Sequence, residues 1–124
     1  MEIKIISGKI CIRASLRDTA TAKAITQALP ITSKAQTWGE EVYFPVPVST
    51  ELEPDAKDVV DAGELAFWTE GNCIAIGYGR TPISQGNEIR LAARTNIWAD
   101  AIDDIKVLAS VGAGDEITVE AIKE

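Results

Sequence analysis

Residues 63–84, GELAFWTEGNCIAIGYGRTPIS, concentrate the side chains of this chain best suited to chemistry. Phe67 and Trp68 stand side by side, Gly71-Asn72 follows, and Tyr78 precedes Arg80 and Thr81-Pro82. Aromatic rings beside a guanidinium at a strand end are the parts of a groove for an apolar ligand or peptide. Phe44, from the upstream run EEVYFPVPV, is expected to join them, so the candidate ligand-binding set is Phe44, Trp68, Tyr78 and Arg80. The same set could ease rotation about an X–Pro bond, whose barrier is about 18–20 kcal/mol, by holding the ring and placing a cation on the imide. The plainer reading makes Arg80 a solvated loop residue paired to a carboxylate, with Phe44 and Phe67 filling the core.

Other chemistries are poorly served. The chain has no histidine, which removes Ser-His-Asp triads, Cys-His dyads, the usual zinc sites and histidine acid-base pairs. Cys11 and Cys73 lack metal spacing and read as small, half-buried thiols. Glu40-Glu41 and Asp103-Asp104 are adjacent, so on strands they point to opposite faces and cannot act as a couple. EPDAKD lacks the ligand pattern of a calcium loop, and GAGDE is a turn with no helix after it to hold phosphate. No metal and no cofactor are expected, and catalytic residues cannot be assigned.

The elements that must position the aromatic stretch are mostly strands. Ile3 and Ile5, then Ile10, Ile12, Ala14 and Leu16, alternate on either side of a Ser7-Gly8 turn and predict a hairpin. Asp18 is placed to cap a helix over about residues 18–29, which Pro30 stops. Two extended runs join at Gly39-Glu40, and the second bears Val42, Phe44, Val46 and Val48 on one face and Tyr43, Pro45 and Pro47 on the other. The prolines place it at an edge or a strand end. ELEPDAKDVVDAG reads as a surface connection. Residues 64–78 then form a hairpin whose return strand carries Cys73, Ala75, Gly77 and Gly79 on one face, small enough for a ligand to approach closely. RTPISQGNEIRLAARTN reads as a long polar connection, and Ile105-Val107-Ala109 and Ile117-Val119 as two final strands about a Gly112-Ala113-Gly114 turn. The total is about seven or eight strands and one helix, which favours a closed or nearly closed barrel.

GELAFWTEGNCIAIGYGRTPIS, followed by EIRLAARTNIWADAIDDIKVLASVGAGDEITVE, resembles the cyclophilin-like domain of small prokaryotic proteins of uncharacterised function. That family pairs a G-[DE]-[LV]-[AG]-[YF]-W start with a GN-x-I-x-I-x-[FY]-G-x-TP return strand, and EEVYFPVPV fits its upstream pattern. The matching pieces span roughly residues 40–120. The resemblance implies a mainly β fold, a cyclophilin-like barrel with short helical caps. True prolyl isomerases of this fold carry an F-H-R motif with a downstream Gln, and this chain has none, so fold likeness alone assigns no activity.

The totals bound the rest. With 124 residues, 46% apolar and 25% charged, the chain suits a single domain over 1–124 with a real core. A net charge of -7 argues against nucleic acid and against anionic membranes as partners. No apolar run approaches a span of about 18 residues, and MEIKIISGK lacks a signal-peptide core, so a cytoplasmic location is expected. The leading expectation is a noncatalytic module binding a peptide or small apolar ligand in a groove on the barrel. The alternatives are a weak prolyl isomerase and a structural protein that forms homo-oligomers through its outward face.

Overall fold

The computed structural model describes residues 1–122. Strands β1 (Glu2–Ser7) and β2 (Ile10–Leu16) form the expected hairpin, with Ile3, Ile5, Ile12 and Ala14 turned inward. Helix α1 covers Ala20–Ala28, shorter than the expected 18–29. Its cap is Thr19, not Asp18: Thr19 Oγ1 accepts from the Ala22 N–H at 3.0 Å, satisfying a first-turn donor. Asp18 stands outside the helix in solvent and meets Lys23 at 3.4 Å. Ala22 and Ile25 fasten α1 to the barrel core.

The remaining strands are β3 (Ile31–Lys34), β4 (Gln36–Thr37), β5 (Glu41–Pro45), β6 (Lys57–Val60), β7 (Glu64–Trp68), β8 (Cys73–Gly77), β9 (Ile89–Ala101) and β10 (Glu116–Ala121). They run in the order β3-β10-β1-β2-β9-β7-β8-β5-β4, with β6 paired to β9 alone. The two ends of that path, β3 and β4, flank Ala35, and Ser33 Oγ donates to the Pro45 carbonyl at 2.6 Å. The sheet therefore comes round on itself into a nearly closed barrel, mainly β as expected, though with ten strands rather than seven or eight. Among the described residues, no helix is long and apolar enough to cross a membrane.

Three segments differ from expectation. ELEPDAKDVVDAG is not only a connection, because it contains β6, whose Val60 is buried opposite Ile89. Most of β9 was expected as polar loop; it is a 13-residue strand that leaves the barrel at its amino-terminal half to pair with β6. Residues 105–110 form a 3-10 helix rather than a strand. Asp104 Oδ1 caps it from the Lys106 N–H at 2.9 Å, and Ile105, Leu108 and Val111 are buried at the three-residue period of such a helix. Val107 faces out, so the apparent alternation misled. Pro45 ends β5, and Val46 and Val48 continue buried beyond it. Cys11 is exposed rather than half-buried, whereas Cys73 is buried.

The barrel interior holds Phe44, Phe67, Trp98, Ile74 and Ile76 among its fully buried side chains. A register shift between Leu65 and Ala66 leaves Trp98 as an extra residue in β9, so Trp98 and Ala99 both enter this core. The Ala66 carbonyl, at the shift, accepts from Trp98 Nε1 at 3.2 Å.

Candidate functional site

A second apolar cluster lies on the outer face of β7, β8 and the departing half of β9, formed by Val60, Ala66, Ala75, Ile89, Leu91 and Ile97 with Tyr43 against it. Period-two alternation produces it. In β5, Val42 and Phe44 point inward, which sends Glu41 and Tyr43 outward; in β8, inward Ile74 and Ile76 leave Cys73, Ala75 and Gly77 outside. Register then aligns them: Tyr43 and Ala66 both stand opposite Ala75, Pro45 and Trp68 opposite Cys73, and Glu41 opposite Gly77.

Beside this cluster is a cavity of about 210 Å³, with Cys73 and Ala75 as a small-residue floor and Trp38, Tyr43, Trp68 and Leu91 as walls. Thr95 and Glu41 supply polar groups. Two glycines shape it. A methyl group at Gly71 would collide with the Trp68 ring, so the turn after β7 is what lets the indole fold against it. At Gly77 the same methyl would meet the Ile89 side chain, which packs close against β8 there.

The polar groups in this cavity are incompletely bonded. Glu41 is only 6% exposed, and its Oε1 has no hydrogen-bond partner among the described residues. Burial raises its carboxyl from an ordinary 4.5 to about 7. Trp68 Nε1, the ring's donor, is likewise buried and unpartnered. These are the two buried side-chain polar atoms left unsatisfied among the described residues, and both residues line the one cavity. Burial, and then the Glu41 charge, push the Cys73 thiol up, which keeps it protonated and poorly nucleophilic. Among the described residues, no group of three or more His, Cys, Asp or Glu side chains is placed to hold a metal.

Of the residues singled out from sequence, Trp68 lines the cavity and the other three lie elsewhere. Phe44 is fully buried inside the barrel, on the opposite face of β5 from Tyr43. Tyr78 is half-buried against that same interior. The Arg80 guanidinium donates to the Ser84 carbonyl at 3.2 Å and to the Gly86 carbonyl, and so stitches together the loop after β8. Glu41, Trp38, Leu91 and Thr95 were not expected here, and the signal for Glu41 was present: it shares a face with Tyr43 in an otherwise legible strand.

No curated protein matches the chain. The hypothetical protein AF2241 from Archaeoglobus fulgidus, known from a solution structure, is 34% identical and superposes with a TM-score of 0.84, covering 98% of this chain and 95% of that one. McbB, solved in complex with tryptophan, has a TM-score of 0.67 at 14% identity and shares the fold alone; this chain covers 46% of its length. The cyclophilin-like family model matches residues 1–120. With the barrel, the hairpin and the GN-x-I-x-I return strand in place, the chain belongs to the cyclophilin-like family.

Proposed function

We propose that this domain is a noncatalytic binding module that holds a small ligand in the outer-face cavity over β5, β7, β8 and β9. One observation carries the reading. Buried polar atoms are nearly always bonded, yet Glu41 Oε1 and Trp68 Nε1 are both unpartnered among the described residues, and both residues line one cavity. A ligand offering a donor and an acceptor would satisfy both. The volume, about 210 Å³, lies below the roughly 300–1,000 Å³ typical of drug-sized sites. The occupant is thus ring-sized or a single side chain, not an extended peptide.

The isomerase alternative needs a free cation beside the aromatic rings, and Arg80 is engaged in its own loop. That weighs toward binding without catalysis.

The test follows the Trp68 indole N–H resonance while a neutral ring-sized probe, benzamide, is titrated. A saturable shift is expected in the native protein and should be lost in Ala75→Leu, which fills the floor. Ala93→Leu offers a second way to block the same space should the first variant fold poorly. Equal shifts in native and filled proteins would place the ligand elsewhere.

A further inference from the structure

We propose that the ligand of this cavity is a small organic ammonium ion, paired with Glu41, enclosed by the rings of Trp38, Tyr43 and Trp68, and bearing an oxygen that accepts from the Trp68 N–H. This rests on the binding reading above and specifies what is bound.

The charge argument comes first. Among the described residues, the cavity lining contains Glu41 and no Lys or Arg, so an anionic ligand would meet a carboxyl group and no countercharge from them. The other lining groups able to ionise are Tyr43 on β5 and Cys73 on β8, and neither can carry a positive charge. From β7 and β9 the lining residues are Trp68, Leu91, Ala92, Ala93 and Thr95, none of them ionisable. A buried carboxylate with no partner is costly, and a cation brought by the ligand removes that cost.

The rings supply the second argument. Two tryptophans and a tyrosine line the same cavity as the carboxyl, and aromatic faces attract cations, tryptophan most strongly. Electron-rich walls around one acid group favour an alkylammonium over a neutral amide of equal size. Trp68 Nε1 adds a requirement, because a plain alkylamine would leave this donor unbonded. A hydroxyl or ether oxygen near the nitrogen satisfies it. An ammonium with an N–H is preferred over a quaternary one, since Glu41 Oε1 is an acceptor awaiting a hydrogen.

The experiment compares protonated N,N-dimethylethanolamine with its neutral isostere 3-methylbutan-1-ol, reading the Trp68 indole N–H resonance and calorimetry. Near pH 8 the ammonium should bind at least about tenfold more tightly than the alcohol. The ammonium's affinity should fall as pH drops from about 8 to about 6, because Glu41 then takes up a proton while the amine stays charged. Glu41→Gln should abolish both the preference and the pH dependence. Choline should bind more weakly than dimethylethanolamine. Equal binding of amine and alcohol would overturn the ammonium assignment while leaving the cavity as a ligand site. No response to either probe or to benzamide would remove the site and the assignment together.

Discussion

Two glutamates are buried to nearly the same degree on this barrel, Glu41 at 6% and Glu64 at 8% exposure, and the fold treats them oppositely. Glu64, at the start of β7, receives Lys57 Nζ at 2.6 Å, Arg17 Nη2 at 2.9 Å and the Asp61 N–H at 2.7 Å. Burial works to raise its carboxyl, but these bonds prevail and hold it below the usual value. Glu41 has burial alone acting on it and rises to about 7. The tryptophans repeat the contrast: Trp98 inside the barrel donates to Ala66, and Trp68 outside it has no acceptor among the described residues. Where a buried polar group belongs to the scaffold, this chain supplies its partner; at the cavity, it leaves the partner out. That difference, more than the cavity's size, supports the proposed site.

Breaking the scaffold side of the contrast gives the largest effect. Trp98→Ala removes a fully buried ring and its bond, and should cost about 3–5 kcal/mol in urea unfolding. A loss below about 1 kcal/mol would mean that the interior is loosely packed and the contrast overstated.

The paired glutamates sharpen it next, and they should move stability in opposite directions. Glu64→Gln weakens the contacts of Lys57 and Arg17 and should destabilise by about 1–3 kcal/mol at neutral pH. Its folded-state carboxyl is lowered, so that contribution is present above the unfolded value near 4.5 and disappears as pH falls through the lower folded value. Glu41→Gln should stabilise, by about 1–2 kcal/mol near pH 8. Below pH 4.5 the native carboxyl is protonated whether folded or not, and the gain vanishes. Between 4.5 and about 7 the unfolded chain has released its proton while the folded one keeps it, so native stability declines with rising pH and the variant pulls ahead. Unfolding curves across this range check both signs. A destabilised Glu41→Gln would imply that the carboxyl has a partner in solution.

The fold was legible in the sequence wherever alternation ran unbroken over one face. Ile3 to Leu16 and Leu65 to Ile76 gave their strands, and the glycine-asparagine turn between β7 and β8 sits where expected, with Asn72 at φ 52°. Legibility failed where one segment served two surfaces. β9 passes from the barrel to β6 through a bulge, so its inward residues do not keep one period, and Arg90 and Arg94 disguise the rest as loop. At the cavity, the alternation that sets Cys73 and Ala75 on a face of small residues is legible in the sequence, and Trp68 lines the same cavity. Phe44 failed because it was grouped by aromatic type, although its own alternation with Tyr43 put it inside. Arg80 failed because carbonyls six or fewer residues ahead capture its guanidinium, a loop geometry that residue types do not encode. Glu41 is hidden in the sequence by its neighbour Glu40, since only the face it shares with Tyr43 in β5 sets it beside the cavity.

The smallest effect expected on stability is the most telling about the site. Trp68→Phe keeps a ring over Cys73 and Gly71, trims part of an indole that is only half-buried, and deletes an N–H that bonds to nothing among the described residues. A buried donor without a partner contributes no bond, and its removal relieves a desolvation cost, so the unfolding free energy should change by no more than about 0.5 kcal/mol. Ligand affinity should fall instead, by about tenfold, the worth of one hydrogen bond. The same exchange at Trp98 should do the reverse, lowering stability through the lost Ala66 bond and leaving binding untouched. If Trp68→Phe proved as costly to folding as Trp98→Phe, the Trp68 N–H would have to be bonded within the native protein, and the cavity would lose the donor that distinguishes it from ordinary packing.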